Sequence, residues 1–517
     1  MKLYLLIAAV ITVIGGAVFS TKDFHMLQQN SYYNSRYFKW LRSNSEGYIT
    51  RILWFVIVSF CCAFKWIGVI AAAVYAIAAF LIVRSSQKKA IKPLVFTMRV
   101  IRMYITECIV LFGAAALAVF VNEWFFLLLF LLAVETPISV ILANVINMPI
   151  EKMIRAGFIR DAKRIIKAND NLKIIGITGS YGKTSTKYFL ARILEEKFNL
   201  TYTPGSFNTP MGVVRTIREK LRPSDEIFIC EMGAKNIGDI KEICDIAHPS
   251  LGIITSVGPQ HLETFKTIEN VAKTKFELAD EVNRNGGKVY VNADSSAALK
   301  KASEYDCITY GTGDAELKVS NISCNRFGST FTVKYKGEQI VLLTKVLGVH
   351  NVLDIAGAVA VAIDLGVEAR DIKYAVERIK PVEHRLEIKP FVNGSVLIDD
   401  AYNSNPAGSA EAVNVLASFD GMKRIIVTPG MVELGEKEYE CNRELGRHAA
   451  EMLDELIFVG EERSKPLAEG ADTVEAFDKD NLHVVATFKD AMALLRQIAD
   501  SKTAVLFEND LPDNYAK

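Results

Sequence analysis

The sequence IIGITGSYGKTST, residues 174–186, decides the fold of the larger part of this chain. Its isoleucine-rich beginning predicts a buried β-strand, and the glycines at 176, 179 and 182 then open a tight turn. From Lys183 onward, apolar residues recur at helical spacing and predict a helix. A strand, a glycine turn and a helix N-terminus in this order form an anion site, because backbone N–H groups converge there and the helix dipole adds partial positive charge.

A nucleotide phosphate is the anion that this pattern favours. Lys183 can reach the terminal phosphates, and the hydroxyl of Thr184 can bind a magnesium ion. The spacing is shorter than that of the usual P-loop, since the motif starts at Gly179 and Ile177 stands where the first glycine is expected. A chance glycine turn is the alternative, and the order of strand, turn and helix argues against it.

Length and composition limit the class of protein. A chain of 517 residues suggests about three domains. The net charge of +1 and the dispersed Lys and Arg residues give no argument for nucleic acid as a partner. The eight cysteines form no CxxC pair and show no zinc-ligand spacing, which favours a reduced cytosolic compartment for the soluble part.

Residues 1–148 predict a helical transmembrane domain, because long apolar segments follow one another there. These segments are 3–20, 52–83, 105–121 and 124–146. A signal peptide is the alternative for the first segment, but the further spans favour an anchor. The segment 52–83 would form a helix of about 48 Å, which exceeds a bilayer core of about 30 Å.

Basic residues indicate how often the chain crosses the membrane. They cluster at 21–51, at 84–102 and after 150. All three clusters lie on one side only if the segment 52–83 crosses twice, with its turn near Lys65. We therefore expect about five spans, with four as the alternative, in a multi-pass protein of the cell membrane. Its N-terminus would be outside and its large soluble part in the cytoplasm.

Two features mark the end of the apolar region. Glu135 and Pro137 interrupt the last apolar segment. An ionisable residue at that depth is a functional candidate, and a structural partner within the helix bundle is the alternative. Residues 149–170 predict an interfacial linker helix, because the sequence around them is apolar at helical spacing and basic elsewhere.

Residues 171–380 predict an α/β domain, because strands and helical stretches alternate as in a mostly parallel sheet. Glu231 follows the predicted strand 226–230, where a carboxylate suits a magnesium ligand and a capping or surface glutamate is the alternative. His261 lies past the next strand, although a lone histidine is more often structural. Lys273 and Lys275 lie early in a predicted helix and would ordinarily be solvated.

Residues 381–517 predict a second, smaller α/β domain of the doubly wound kind. Its expected strands are 396–399, 424–428, 455–459 and 503–507. Polar residues follow the first of these strands, where parallel sheets carry their ligand sites. They are Asp400, Tyr402, Asn403 and Asn405, followed by Pro406.

Together these motifs resemble those of the Mur ligases, over about residues 171–470. The matching segments, in family order, are GITGSYGKTS, GSFNTPMGV (205–213), EMGAKNIGDI (231–240), GPQHLETF (258–265), AKTKFE (272–277), LGVHN (347–351), HRLE (384–387) and DDAYNSNP (399–406). The resemblance is strongest to the MurF branch, whose members join D-alanyl-D-alanine to a muramyl tripeptide. It implies a P-loop central domain followed by a smaller Rossmann-like C-terminal domain.

The resemblance also implies which residues bind ATP. The glycine-turn amides and Lys183 would hold the β- and γ-phosphates, with Asn208 near the γ-phosphate. Asn351 would contact the adenine, Arg385 the phosphates and Asp400 the ribose. The complete expected set is Gly179, Ser180, Tyr181, Gly182, Lys183, Thr184, Ser185, Asn208, Asn351, Arg385 and Asp400.

Two magnesium ions are implied in the same way. Thr184 and Glu231 would hold one ion, and His261 would help to hold the second. Lys275 matches the lysine that such ligases carbamylate, and its carbamate would be an anionic oxygen ligand. The spacing to Phe276 favours Lys275 over Lys273 for this role. Lys183, Lys275 and His261 would then be the catalytic residues.

The implied protein is a membrane-anchored, ATP-dependent amide ligase of peptidoglycan precursor synthesis. It would activate a peptide carboxylate, carried by a nucleotide or a lipid, as an acyl phosphate and join it to an amine such as D-Ala-D-Ala. The bilayer and other cell-envelope proteins would be its partners. A ligase for another envelope polymer or polyamide, a non-catalytic Mur-like scaffold and a nucleotide-driven transporter are alternatives, although no LSGGQ-type signature supports the transporter.

Three departures from the family leave the substrates open. The soluble domain that grips the UDP-sugar is replaced by the membrane domain. The family's Lys-Gly-Ser-Arg near the C-terminus is replaced by FENDLPDNY, residues 507–515. In PGMVELGEKE, residues 429–438, Met431 and Val432 stand where the family has aspartate. We therefore expect an acyl substrate that is presented at the membrane surface or held by a partner.

Overall fold

The structure is a computed structural model that describes residues 3–43, 65–89, 93–260, 262–401, 404–432 and 434–509. The chain divides into two compact units, Met1–Gly157 and Phe158–Lys517. The first unit is helical, and the second contains two β-sheets flanked by helices.

Seven α-helices begin in the first unit within the described residues. They are α1 (Leu3–Phe19), α2 (Thr21–Gln29), α3 (Asn34–Ser43), α4 (Lys65–Lys89), α5 (Met98–Ala116), α6 (Phe125–Val134) and α7 (Thr136–Lys167). Within the described residues, four stretches are long and apolar enough to cross a membrane: Leu3–Gln29, Trp66–Ser86, Met98–Val121 and Thr136–Lys167. These helices suggest membrane insertion. The first part of the predicted double crossing falls on residues 44–64, which lie outside the described residues, so the number of spans stays a prediction.

The predicted interruption at Glu135 is confirmed, because α6 ends at Val134 and α7 begins at Thr136. The helix expected at 149–170 is present as far as Lys167, but it is not a separate element. It is the C-terminal part of α7, which continues through Pro149 to Lys167. Proline removes one backbone donor from a helix, but the flanking residues keep α7 helical on both sides.

Two fully buried carboxylates connect the helices of the first unit. Glu107 accepts hydrogen bonds from Ser20 Oγ and Ser139 Oγ, each at 2.7 Å. Asp23 accepts one from Tyr37 at 2.7 Å and one from Thr136 at 2.5 Å. Because a buried polar group without a partner is costly, these bonds fix how the junction of α1 and α2 packs with α3, α5 and α7.

We expect Glu107→Ala to destabilise this helix unit by about 1–3 kcal/mol, because Ser20 and Ser139 lose their buried acceptor. Thermal unfolding of the purified full chain in detergent measures the effect. Glu107→Gln is the matched control, since its amide oxygen keeps one acceptor. An alanine variant that unfolds at the wild-type temperature would contradict this role for Glu107.

The first sheet of the second unit has nine strands in the order β2-β3-β1-β4-β5-β6-β7-β8-β9. The strands are β1 (Lys173–Thr178), β2 (Leu200–Tyr202), β3 (Ile227–Glu231), β4 (Leu251–Ile254), β5 (Lys288–Asn292), β6 (Ile308–Gly311), β7 (Leu317–Asn325), β8 (Gly328–Tyr335) and β9 (Glu338–Thr344). The pairs from β2 to β7 are parallel, as the sequence predicts. Because β1 lies between β3 and β4, the ends of these three strands meet at one edge.

Helices cover both faces of this sheet. They are α8 (Lys183–Leu194), α9 (Pro210–Glu219), α10 (Asp239–Ala247), α11 (Leu262–Phe265), α12 (Ile268–Arg284), α13 (Ser296–Ala302), α14 (Val349–Asp364) and α15 (Ala369–Glu377). One buried core cluster contains residues of α8, α14 and α15, and a second contains residues of α9, α10, α12 and α13. The sheet is therefore buried on both sides, which is typical of parallel α/β proteins.

The antiparallel ladder β7-β8-β9 is a part of this domain that the sequence analysis does not anticipate. Buried and exposed residues alternate along β9, as expected for a strand with one face toward the core. That alternation is the signal in the sequence from which these strands could have been predicted.

The second sheet has six strands in the order β10-β11-β15-β12-β13-β14. They are β10 (Glu387–Pro390), β11 (Val396–Asp400), β12 (Lys423–Thr428), β13 (Glu455–Val459), β14 (Leu482–Val485) and β15 (Thr503–Glu508), and only the β10–β11 pair is antiparallel. The helices are α16 (Pro406–Ala417), α17 (Glu438–Met452), α18 (Lys465–Asp472) and α19 (Phe488–Ile498). The smaller Rossmann-like domain is confirmed, with its four predicted strands in place.

Candidate functional site

The glycine turn between β1 and α8 is held tightly by its neighbours. Gly182 has a φ of 82°, and a Cβ at this position would lie 2.6 Å from Asp354 Oδ2, so only glycine fits. The backbone amide of Ser180 donates to Ser256 O at 2.7 Å, and that of Tyr181 donates to Ser256 Oγ at 3.0 Å. These contacts within the protein therefore fix the shape of the turn.

The start of α8 leaves backbone donors for an anion. The amide of Thr186 donates to Gly182 O at 2.8 Å and closes the first turn of the helix. The amides of Lys183, Thr184 and Ser185 precede that bond, as in the first turn of any α-helix. Together with the helix dipole, they make this end of α8 suitable for a phosphate group.

Lys183 lies over the same turn. Its Nζ donates to Gly179 O at 2.7 Å and to Ser180 O at 3.0 Å. Burial lowers the pKa of Lys183 to about 8, while the nearby Glu231 carboxylate opposes that shift. An arriving phosphate would favour the charged ammonium, since opposite charges attract strongly where water is excluded.

Glu231 ends β3 beside the glycine turn and is almost completely buried. The register pairs Glu231 with Ile177 of β1, so the strand alignment brings it to the glycine turn at residues 179–182, which we call the phosphate loop. Thr184 Oγ1 lies 3.1 Å from both carboxylate oxygens, and Asn208 Nδ2 donates to Oε1 at 3.0 Å. Three residues that the sequence analysis assigns to the nucleotide site are thus joined by hydrogen bonds.

Lys187 is a further member of this cluster that the sequence analysis overlooks. Its Nζ lies 2.8 Å from Glu231 Oε2, and both side chains are buried, with exposures of 0% and 1%. Lys187 stands one helical turn after Lys183, which is the signal from which it could have been found.

The donor atoms of this cluster fit a magnesium ion. Thr184 and Glu231 supply hard oxygen ligands, and Mg²⁺ is ordinarily held by one or two protein side chains together with phosphates and water. Among the residues that the structure describes, no group of three or more His, Cys, Asp or Glu side chains converges as a metal site. His261, the expected ligand of the second ion, lies outside the described residues.

Lys275 lies on α12 and is buried, whereas Lys273 is exposed. Burial lowers the pKa of Lys275 to about 7, and the neighbouring charge of Lys183 contributes to the shift. A neutral amine is the form that adds CO₂ to give a carbamate. The environment of Lys275, and not that of Lys273, therefore suits the modification that the resemblance implies.

Asp354 is a buried acid that the sequence analysis also overlooks. It lies on α14 with its carboxyl group against Gly182. Burial raises its pKa to about 8, although the charges of Arg385 and Lys183 act in the opposite direction. The phosphate loop is thus flanked by an acid that is largely uncharged at neutral pH.

The remaining predicted ATP ligands, Asn351, Arg385 and Asp400, come later in the chain than the glycine turn. The charge of Arg385 acts on Lys183, Asp354 and Asp400, so these groups are near one another. Asp400 Oδ1 accepts from the amide of Leu386 at 3.2 Å, and burial raises its pKa to about 7. Asn351 is buried on α14, where its side-chain amide donates to Leu347 O at 2.8 Å.

A cavity of about 1560 Å³ opens in the second α/β domain. Its lining includes residues that directly follow β11, β12, β13, β14 and β15, at the carboxyl edge of the sheet. This edge is where open α/β sheets bind their ligands. Tyr402 and Asn403, which were expected at the same edge, lie outside the described residues, and Asn405 caps α16 by accepting from the amide of Gly408 at 3.0 Å.

Comparison with known proteins identifies both domains. Residues 177–362 match the Mur ligase middle domain, and residues 384–508 match the Mur ligase, glutamate ligase domain. The chain therefore belongs to the Mur ligase family, and these residues form the middle and C-terminal domains of a Mur-type ATP-dependent ligase. The apolar helices stand in place of the N-terminal domain.

Two curated relatives carry the name UDP-N-acetylmuramoyl-tripeptide–D-alanyl-D-alanine ligase. The Bacillus subtilis protein is 28% identical over 338 residues, which are 65% of this chain and 72% of the relative. The Mycobacterium tuberculosis (H37Rv) protein is 34% identical over 306 residues, 57% of this chain and 59% of the relative. The chain thus spans only part of the length of these enzymes.

Solved structures agree with this result. MurF from Acinetobacter baumannii is 26% identical with a TM-score of 0.62, over 69% of this chain and 77% of that one. MurF from Thermotoga maritima, solved in complex with ADP, is 25% identical with a TM-score of 0.61, over 69% of this chain and 80% of that one.

The buried acid at 354 leads to a prediction about pH. Its folded-state pKa of about 8 is above the ordinary value of 3.8, so its contribution favours the folded state at low pH and is lost progressively as pH rises toward 8. Asp354→Asn removes this dependence. We expect the unfolding temperature of the variant, relative to wild type, to rise between pH 5 and pH 8. A constant difference across this range in thermal unfolding of the full chain would contradict the assignment.

Proposed function

We propose that this protein is a membrane-anchored, ATP-dependent ligase that activates a peptide carboxylate as an acyl phosphate and joins it to an amine. The observation that supports this most is the cluster at the phosphate loop. Lys183, Thr184 and Glu231 lie together at the end of the central strands, and the buried Lys275 lies close enough for its charge to act on Lys183. This is the combination that an enzyme transferring a phosphoryl group to a carboxylate needs.

The reaction has two steps. An oxygen of the substrate carboxylate attacks the γ-phosphorus of ATP, and the bond to ADP breaks. The amine then attacks the acyl carbon, and phosphate leaves as the amide forms with loss of a proton from nitrogen. Lys183 and the amides at the start of α8 would bind the phosphates and orient them for the first step.

Magnesium ions, when bound, supply the positive charge that offsets the crowded phosphate oxygens. Thr184 and Glu231 would hold one ion, and His261 with carbamylated Lys275 would hold the second. Arg385, Asn351, Asn208 and Asp400 would complete the nucleotide site. The other expected ATP-binding residues, Gly179, Ser180, Tyr181, Gly182 and Ser185, would contribute from the glycine turn and the first turn of α8.

The names of the relatives suggest the substrates, a UDP-linked muramoyl tripeptide and D-alanyl-D-alanine. Since helices stand in place of the N-terminal domain, we infer that the acyl substrate is presented at the membrane surface and is lipid-linked, in peptidoglycan precursor synthesis. The ligase domains would face the cytoplasm, where ATP is available.

A ligase for another envelope polymer is the second candidate, and the end of β15 favours it. Glu508 is buried there and accepts from Thr428 Oγ1 at 2.9 Å and from Ser409 Oγ at 2.6 Å. It stands in the region where MurF enzymes have Lys-Gly-Ser-Arg. An acidic residue in place of this basic motif supports an amine other than D-Ala-D-Ala.

Lys183→Ala should reduce ATP-dependent ligation by at least about 10²-fold, because the phosphates lose the cation that stabilises them in the transition state. Phosphate release by the full chain in nanodiscs, with a panel of carboxylates and amines, measures this. Lys197→Ala, an exposed lysine just after α8, is the control. Full activity of the Lys183 variant would remove the support for this site.

Lys275→Ala should lose most activity, and added short-chain carboxylates should restore part of it by replacing the carbamate oxygens. The matched control is Lys273→Ala, two residues away and exposed, which should keep wild-type turnover. If the two variants behaved alike, Lys275 would not be the modified lysine.

The source of the acyl substrate can be tested with the full chain in nanodiscs. We expect a lipid-linked muramoyl peptide in the same bilayer to be used at least about tenfold more efficiently than its soluble UDP-linked form, because the shared membrane raises its effective concentration. Equal kcat/KM for both forms would contradict membrane presentation, while leaving the ligase chemistry intact.

A further inference from the structure

Lys187 is buried in the second turn of α8, and its ammonium group donates hydrogen bonds to two acceptors. It donates to Glu231 Oε2 at 2.8 Å and to the backbone oxygen of Gly205. A buried ammonium is unfavourable unless it is paired and hydrogen-bonded, and here both conditions hold. Lys187 therefore ties the phosphate-loop helix to the end of β3 and to the loop before α9.

The two oxygens of Glu231 have different surroundings because of this contact. Oε2 accepts a hydrogen bond from the ammonium of Lys187, whereas Oε1 accepts one from the side-chain amide of Asn208 at 3.0 Å. Thr184 Oγ1 lies between them, 3.1 Å from each. The Lys187 ammonium thus occupies Oε2, whereas Oε1 faces Asn208, a residue that the resemblance assigns to the nucleotide site.

The loop at Gly205 is fixed by the same group of residues. The amide of Glu231 donates to Thr203 Oγ1 at 3.1 Å, and the amide of Gly233 donates to Asn208 O at 2.7 Å. The bond from Lys187 to Gly205 lies between these two connections along the chain. The orientation of the Glu231 carboxylate and the position of Asn208 are therefore set together.

Divalent cations differ in how they use a carboxylate. Mg²⁺ requires near-octahedral geometry with short bonds, and it is commonly bound by one or two carboxylates together with phosphates and water. Ca²⁺ is larger, accepts six to eight ligands and readily takes both oxygens of one carboxylate. An ammonium group held on one carboxylate oxygen hinders a cation from binding both oxygens, because it repels the cation and already occupies that oxygen.

We propose that Lys187 is a positioning residue that presents Glu231 to the metal through a single oxygen and thereby favours Mg²⁺ over Ca²⁺. The inference rests on the proposed function, because it takes Thr184 and Glu231 as magnesium ligands. A purely structural role for Lys187 would change the stability of the protein and would weaken both cations alike.

The test uses the full chain in nanodiscs with the non-hydrolysable ATP analogue AMP-PNP. Mn²⁺ is the probe, since its electron paramagnetic resonance signal reports free and bound ion without any turnover. Titration with Mg²⁺ and with Ca²⁺ gives the concentration of each that displaces half of the Mn²⁺. The ratio of these two concentrations is the quantity compared between variants, after subtraction of the same titration without protein.

Lys187→Met removes the ammonium at similar length, and we expect the Ca²⁺/Mg²⁺ concentration ratio to fall about tenfold, as is typical when a partner of a ligand is lost. Lys187→Gln should give a ratio between those of wild type and the methionine variant, because its amide can still donate to Oε2 but carries no charge. Arg192→Met is the matched control on the same helix, since Arg192 pairs with Glu196 at the surface. If the methionine variant does not fold, Lys187→Ala carries the same expectation.

An unchanged ratio in a folded Lys187→Met or Lys187→Ala protein would overturn the inference. So would a parallel loss of Mg²⁺ and Ca²⁺ affinity. Wild-type protein that binds no Mn²⁺ with AMP-PNP would instead overturn the metal site of the proposed function, so the two failures are distinguishable.

Discussion

The buried carboxylate of Glu231 is the group around which the candidate nucleotide site is arranged. It lies at the end of a central strand, where the register places it beside the phosphate loop, and it is held by Thr184, Lys187 and Asn208. Removing a partner from a buried ion pair leaves an uncompensated charge and costs several kcal/mol. The loop before α9, the start of α8 and the end of β3 therefore depend on one another for their positions.

Burial has a second consequence at this site. The pKa of Lys183 is lowered to about 8 and that of Lys275 to about 7, whereas that of Asp354 is raised to about 8. Each shift favours the uncharged form of its group, as expected where water is excluded. In such surroundings a phosphate or a divalent cation interacts more strongly with the protein than it would in water. The site is thus prepared for highly charged ligands.

Buried acidic side chains in the first unit also have hydrogen-bond partners. Asp23 and Glu107 are fully buried among helices that are long and apolar enough to cross a membrane, and hydroxyl groups of other helices satisfy both. In the second unit the buried polar groups meet at strand ends instead. Polar contacts between elements distant in the chain therefore specify the packing in both units.

The sequence by itself determined the features that local pattern encodes. It gave correct expectations for β1, the glycine turn, α8, the parallel α/β character of both domains and the break at Glu135, because periodicity and turn chemistry act over a few residues. The family motifs also indicated Thr184 and Glu231, which the structure joins. Tertiary structure alone decided that Lys187 pairs with Glu231, that Asp354 lies against Gly182 and that β7, β8 and β9 extend the first sheet. These contacts join residues far apart in the chain, so they depend on the order of strands and the packing of helices, which no local window of sequence specifies.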